Sequence, residues 1–242
     1  AKDMSITVGW NTAQAAGISR EDMDAWAARS HQRAVAAIDA GKFLDEILPL
    51  KVAQLDGSVI DFSVDEHPRR DTTAEKLAEL KVLHPEIEGF SITAGNSSGT
   101  NDACAAVAVV DHAYAADKGL DVMATVKAWG AVGVAPRDTG LGGVEVIGKV
   151  LGRAGLKPSD VALWEINEAF ASVPIAACRR YGIDEELVNF SGSGCSLGHP
   201  IAASGARMVT TLVYELRRRG GGIGMAAMCA GGGQGGAVII EV

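Results

Sequence analysis

No apolar run in this 242-residue chain reaches the length of about 20 residues that a membrane-crossing helix needs, and no stretch reads as a charged-then-apolar leader. Lys/Arg blocks are scarce and the formal charge is −8, which excludes a nucleic-acid footprint. The short run Arg217, Arg218, Arg219 follows "MVTTLVYEL" and reads as the cationic last turn of a helix. Four cysteines (Cys104, Cys178, Cys195 and Cys229) show no Cys-x-x-Cys spacing, so they read as reduced thiols of a cytosolic-type compartment, and metal binding by them is not expected. Aromatics are only 5% of the chain, so its core must be packed from small side chains.

Glycine and alanine, by contrast, are plentiful, and the chain is long enough to bury a sizeable core. "ISREDMDAWAARSHQRAVAAIDAGKFLDEI" is helical in pattern, with Ser19 before an acidic first turn and Gly41 as its stop. "ILPLKVAQ" and "SVIDFSVDEHPRR" read as short strands around the turn "LDG", and "TTAEKLAEL" as a helix capped by Thr72 or Thr73. From residue 91 the texture changes: "SITAGNSSGTNDACAAVAVVD" reads as a loop and helix running into a buried strand. Strand and helix patterns then alternate through "VMATVKAWGAVGV", "GGVEVIGKVLGRAGL", "VALWEI", "EAFASVPIAACRRYG" and "SGARMVTTLVYELRRRG". That alternation predicts an α/β layered fold with a mixed, mostly parallel sheet, closed by a glycine-rich hairpin "GIGMAAMCAGGGQGGAVIIEV".

Three polar clusters fall where strands give way to loops, the place where open α/β sheets bind ligands. After "VALWEI", Asn167 is either a helix cap or an amide offered to a ligand. His199 lies in "SGSGCSLGHPIAASGAR", where surrounding glycines leave an imidazole accessible, although a lone histidine is often structural. Cys229 precedes Gly231, Gly232 and Gly233; its plain reading is a buried thiol beside a tight turn. The three residues are spaced 32 and 30 positions apart.

In that order, "NEAFA" (167–171), "GHPIAASGAR" (198–207) and "CAGGGQGGA" (229–237) resemble three motifs of the thiolase family, the acyl-CoA C-acyltransferases. "TAGNSSGTNDA" is similar to its acyl-CoA-proximal loop, and "GISREDMDAWAARSHQRA" and "DEHPRRDTTAEKLAELK" to parts of its loop domain. The resemblance implies a partial loop domain over 1–90, the last helix and strand of the N-terminal core domain over 91–118, and the C-terminal core domain over 119–242. It implies Claisen condensation of acyl-CoA with acetyl-CoA, or CoA-dependent thiolysis of 3-ketoacyl-CoA, in fatty acid metabolism. Coenzyme A and acyl-CoA are then substrates, with no prosthetic group and no metal, in a cytoplasmic homodimer or homotetramer. His199 becomes the base that activates a nucleophilic cysteine. Cys229, its thiol tuned towards neutrality, moves the α-proton of the second acyl-CoA. Asn167 holds a water that with His199 stabilises a thioester enolate, and the Gly231 N–H joins a second oxyanion hole. Ser98 and Arg69 match positions against the pantetheine arm and the nucleotide of CoA.

The chain also departs from the family's pattern. Ala202 stands where the histidine motif usually has glycine, "SGSGC" replaces "NGGAI", and "NDAC" replaces "NDGA"; Cys195 and Cys104 read as packing residues. His31, His67, His84 and His112 match no catalytic motif and read as surface or structural. No cysteine here has the Cys-x-Ser-Gly context of the family's nucleophile, and "AKDMSITVGW" opens without an initiator Met. The expectation is therefore a C-terminal portion of a thiolase, inactive alone, whose missing half supplies the nucleophile. The alternative is a naturally short acyl-CoA-binding or scaffolding subunit paired with a nucleophile-bearing chain. A ketoacyl-synthase-like enzyme would carry a second histidine where "NEAFA" stands.

Overall fold

The computed structural model describes residues 4–242. It begins with α1 (Met4–Ala16), a helix with no strong apolar stripe, whose contact face includes small residues beside Val8: Thr12 and Ala13 are fully buried, and Gly9 lies against Phe170. Then comes α2 (Arg20–Asp39), which starts where the sequence places it. Ser19 Oγ accepts from the Asp22 N–H at 3.0 Å while the Asp22 carboxylate accepts from the Ser19 N–H at 3.1 Å, a reciprocal cap. Met23, Trp26, Ala27, Ser30 and Ala34 form its buried face, and Gly41 turns the chain away at φ +69°.

The pair β1 (Leu50–Ala53) and β2 (Val59–Phe62) forms an antiparallel hairpin standing away from the core. The short helix α3 (Ala74–Ala78) is capped by Thr73. The helix and buried strand expected over 91–111 are not found there: residues 101–110 have no regular structure and are mostly exposed, and a helix, α4 (His112–Lys118), follows them. Val107, Val109 and Val110 have strand character, but none of the described strands pairs with them, and a strand without a ladder has nothing to satisfy its backbone. Cys104, expected to be packed, is accordingly exposed.

The core domain holds β3 (Thr125–Gly133), α5 (Thr139–Ala154), β4 (Leu163–Ile166), α6 (Ser172–Tyr181), the single turn α7 (Gly194–Leu197), α8 (Ser204–Arg218), β5 (Ile223–Ala230) and β6 (Gln234–Glu241). The strand order is β3-β6-β5-β4. Only β4 and β5 run parallel; β5·β6 and β3·β6 are antiparallel, so the sheet is mixed but not mostly parallel. The closing hairpin supplies two of the four strands, and β3 adds to it antiparallel, which leaves room for one crossover pairing.

Helices cover both faces. Met225, Ala227 and Ile239 point to the α5 and α6 side, whereas Ala226, Ile240 and Leu163 meet Met208, Leu212 and Leu216 of α8. Each fully buried Leu or Met on that α8 stripe stabilises the layer by roughly 1.5–3 kcal/mol. At the C-terminal end of α8, Arg218 and Arg219 both reach back to Glu215, so the basic run does end a helix. Against the hairpin, α5 comes close because it starts with small residues: a Cβ on Gly142 would lie 2.6 Å from the Gln234 carbonyl oxygen, and one on Gly143 3.0 Å from the Cys229 nitrogen.

Candidate active site

Asn167 follows β4 and its N–H donates to the Ala227 carbonyl at 2.9 Å, which ties it to the strand leading to Cys229. The next helix, α6, starts at Ser172 with Ala171 as its cap residue, so Asn167 caps nothing. Its amide is fully buried and meets the His199 ring instead, with Nδ2 3.3 Å from Nε2 and 3.4 Å from Nδ1. Asn167 Oδ1 is buried and has no hydrogen-bond partner, an orphan acceptor beside the imidazole.

His199 is half-buried in a loop that Gly198 turns at φ +95°. Its backbone N–H donates to Asn101 Oδ1 at 3.1 Å, and Nδ1 lies 2.6 Å from Ser204 Oγ. The Ser204 hydroxyl donates to the Pro200 carbonyl at 3.0 Å, which uses its single proton. With that proton on Pro200, Nδ1–H is the donor to Ser204, and Nε2 of the neutral ring is an acceptor facing the Asn167 Nδ2 amide. Burial, aided by the positive charge of Arg207, lowers the His199 pKa below its ordinary value, which keeps that lone pair free near neutral pH.

Cys229 lies on β5 opposite Gly235 and is buried. No hydrogen bond joins it to His199 among the described residues, and burial pushes its thiol up to about 11 rather than towards neutrality, contrary to expectation. The glycines that follow divide by cause. Gly232 and Gly233 have φ of +81° and +85° in the turn, and a side chain at Gly233 or Gly235 would strike backbone. At Gly231 neither reason applies: a Cβ would meet nothing within 4 Å.

The Thr93–Asn101 loop docks beside this junction, with the Ser98 N–H donating to the Ala169 carbonyl at 3.0 Å. Arg69, with Glu66, His67, Asp71 and Asn101, lines a cavity of about 590 Å³. Asn101 links that cavity to the His199 loop; among the described residues no hydrogen bond joins Arg69 to Ser98. Two of the histidines outside the motifs, His31 and His67, have structural partners: His31 Nδ1 accepts from the Arg69 N–H at 3.0 Å, and His67 Nδ1 lies 2.7 Å from the Ser196 carbonyl.

Glu168 anchors the junction. This fully buried carboxylate accepts from Trp26 Nε1 and Asn189 Nδ2 on one oxygen, both at 2.8 Å. On the other it accepts from Ser30 Oγ at 2.7 Å and the Cys195 N–H at 3.1 Å. Cys195 is buried there, as expected. The sequence reading missed the roles of Asn101 and Ser204; a hydroxyl five residues after the histidine was the only signal for the latter. Among the described residues no group of three His, Cys, Asp or Glu could hold a metal ion, and no helix is long and apolar enough to cross a membrane.

The described residues thus form an α/β layered protein with an Asn–His pair after a strand end and a cysteine-led glycine hairpin. Two family descriptions divide the chain: "Thiolase, N-terminal domain" matches residues 2–113 and "Thiolase, C-terminal domain" matches 120–242. The chain belongs to the thiolase family. It is 44% identical to an acetyl-CoA acetyltransferase of Pseudomonas aeruginosa over 96% of its own length and 58% of that protein. It is 42% identical to a 3-ketoacyl-CoA thiolase of Bacillus subtilis over 93% and 59%. The Bacillus anthracis acetyl-CoA acetyltransferase superposes with a TM-score of 0.91 at 40% identity, over 98% of this chain and 59% of that one. Human mitochondrial 3-ketoacyl-CoA thiolase in complex with CoA gives 0.87 at 36%, over 98% and 58%. The chain thus spans a little under three-fifths of the curated relatives it matches first.

Proposed function

We propose that these residues form the proton-transfer and oxyanion half of an acyl-CoA C-acyltransferase, acting in condensation of acyl-CoA with acetyl-CoA or in thiolysis of 3-ketoacyl-CoA. The observation that carries this is the Asn167–His199 contact: the Asn167 Nδ2 amide lies 3.3 Å from the acceptor Nε2, and the same side chain's Oδ1 is buried without a partner. An Nε2 lone pair can take a thiol proton, and a water held by Asn167 can donate to a thioester oxygen as negative charge develops there. Gly231 supports the reading of a second oxyanion donor, since neither turn nor packing requires a glycine there. Cys229, held as a thiol by burial, enters as the acid that returns the α-proton; the reverse step needs its thiolate. Ser98 and Arg69 would hold the pantetheine arm and the nucleotide, respectively. Neither is a prosthetic-group ligand: CoA and acyl-CoA come and go as substrates. Acyl transfer also needs a nucleophile, and none of the four cysteines stands in a Cys-x-Ser-Gly segment, so that group must come from outside these 242 residues. The complete assembly is proposed to be a cytoplasmic homodimer or homotetramer.

Deuterium incorporation into the methyl group of acetyl-CoA in D₂O, followed by NMR, tests this without the acyl-enzyme. Exchange should exceed the protein-free rate, and in Cys229→Ala it should fall back to that rate. It should also rise about tenfold per pH unit from pH 7 to 10, as the thiolate fraction grows. Acetyl-CoA binding without exchange would refute the proton-transfer reading and leave the binding-subunit alternative.

A further inference from the structure

A second buried polar group lies two residues before Asn167 on β4. Glu165 points from β4 and is fully buried; its Oε2 accepts from Arg207 Nη1 at 2.6 Å. The other arm of the guanidinium donates to Ser193 Oγ at 3.0 Å. Arg207 stands one turn after Ser204 on α8, and Ser204 holds His199 Nδ1. The same fork therefore joins β4, two residues before Asn167, to the loop before His199 and to the turn of α8 that orients the ring.

The charges around this fork are uneven. Glu165 on β4, Glu46 after α2 and Asp65 after β2 all feel Arg207, with Glu168 further along the same strand junction and Cys229 on the neighbouring β5. Arg207 is the one cation that registers at Glu165, Asp65 and His199 alike, and its charge bears on His199 in the direction that disfavours an imidazolium. Among the described residues Glu165 Oε1 has no partner, and Arg207 is the group hydrogen-bonded to that carboxylate.

We propose that Arg207 is the positioning residue of His199: gripped by Glu165 and Ser193, it fixes the turn carrying Ser204 and keeps a cation behind the imidazole. The ring is thereby held as the neutral Nδ1–H tautomer, the form that can accept a proton at Nε2. This deepens the reading of His199 as a base and rests on it.

Histidine-selective ¹⁵N labelling of the chain reads the idea directly, by following the His199 ring nitrogens against pH. Wild type should show the Nδ1–H tautomer and a titration midpoint below the ordinary histidine value. Arg207→Met should raise the midpoint and blur the Nδ1–H tautomer, and Arg207→Lys, which keeps the cation but cannot fork, should keep a near wild-type midpoint while blurring the tautomer in the same way. Glu165→Gln breaks the same pair while keeping the guanidinium, so its midpoint should lie at or below wild type and never above. His84 and His112, which touch neither residue, serve as controls. A clamp without an electrostatic role would let both broken pairs drift towards the ordinary value together. The proposal is overturned if Glu165→Gln raises the midpoint, if Arg207→Lys shifts the midpoint as Arg207→Met does, if Arg207→Met leaves it unmoved, or if Arg207→Lys keeps the wild-type tautomer signature. Should Arg207→Met fail to fold, the Lys and Gln variants decide the matter by the same rule. Absence of proton exchange in acetyl-CoA would sink the functional reading while leaving this titration interpretable.

Discussion

Replacing Glu168 by Gln should destabilise the chain by about 2–4 kcal/mol, and the reasoning follows from which donor points at which oxygen. Trp26 Nε1 and Asn189 Nδ2 share Oε1, while Ser30 Oγ and the Cys195 N–H share Oε2. A glutamine offers one oxygen and one NH₂, so one pair of donors must face another donor. If the NH₂ takes the Oε1 side, two N–H groups that cannot reverse are orphaned, at about 1–3 kcal/mol each. On the Oε2 side the Ser30 hydroxyl can turn, since it already lies 2.8 Å from Ser196 Oγ, and only the Cys195 N–H is lost. That orientation should win. Its cost is one orphan donor plus the weakening of two charge-assisted bonds, about 1 kcal/mol each, less the gain from burying a neutral amide. Urea unfolding followed by circular dichroism measures it, and the matching fall in melting temperature is on the order of 10 °C for a chain of this size. Ser30→Ala made on top of Glu168→Gln removes the turning hydroxyl and should cost less than it does in wild type, where it deletes a bond to a carboxylate. A loss below about 1 kcal/mol for the Glu168→Gln variant would refute the claim that this carboxylate pins α2 to the Asn167 junction.

Gly235→Ala should destabilise by more than about 3 kcal/mol, because the new methyl meets the Gly142 backbone and α5 must move, whereas Gly231→Ala should fall within about 0.5 kcal/mol in a thermal melt. His31 is buried; burial first, then His67 and Arg69, lowers its pKa to about 4, so the unfolded chain takes up the proton first. Stability held above pH ~6.5 should therefore drain away as pH falls towards 4, and His31→Asn should flatten that part of the melting-temperature curve.

The motifs were legible because each couples a turn to a chemical group. Ser19 with Asp22, Thr73 and Gly41 marked helix ends through local hydrogen bonds and backbone freedom that need no tertiary partner. Helix α1 was not legible, since Gly9, Thr12 and Ala13 pack through smallness and present no apolar period. The segment 101–110 misled in the opposite sense: its alanines and valines promise burial, but a strand exists only where another strand meets it. Asn167, His199 and Cys229 could be picked as candidates from sequence, while the Ser204 and Arg207 contacts arise from the winding of α8 under β4, a relation between elements.

The edge of the sheet carries two opposed instructions, and their balance can be measured. Strand β3 pairs only with β6, so its outer backbone row has no ladder among the described residues. Trp129 is 66% exposed and Val126 48% exposed on this strand, which invites another chain to lie against it. Yet Lys149 Nζ donates to the Ala131 carbonyl at 2.7 Å, and Arg153 donates to the Trp129 carbonyl, so α5 occupies acceptors that an incoming strand would need. Cations set on edge carbonyls act as a guard against strand addition. Removing both, as Lys149→Ala with Arg153→Ala, should tighten self-association by about tenfold or more, since freeing even ~1.4 kcal/mol of acceptor capacity has that effect. Trp129→Lys should weaken it by removing apolar area and adding charge, with little change in the melt of the monomer, because the ring contributes little to the core. Sedimentation velocity across a concentration series reads both. If the double alanine variant associates no more than wild type while Trp129→Lys dissociates it, the apolar side chain alone governs the edge and the guarding role of Lys149 and Arg153 is wrong.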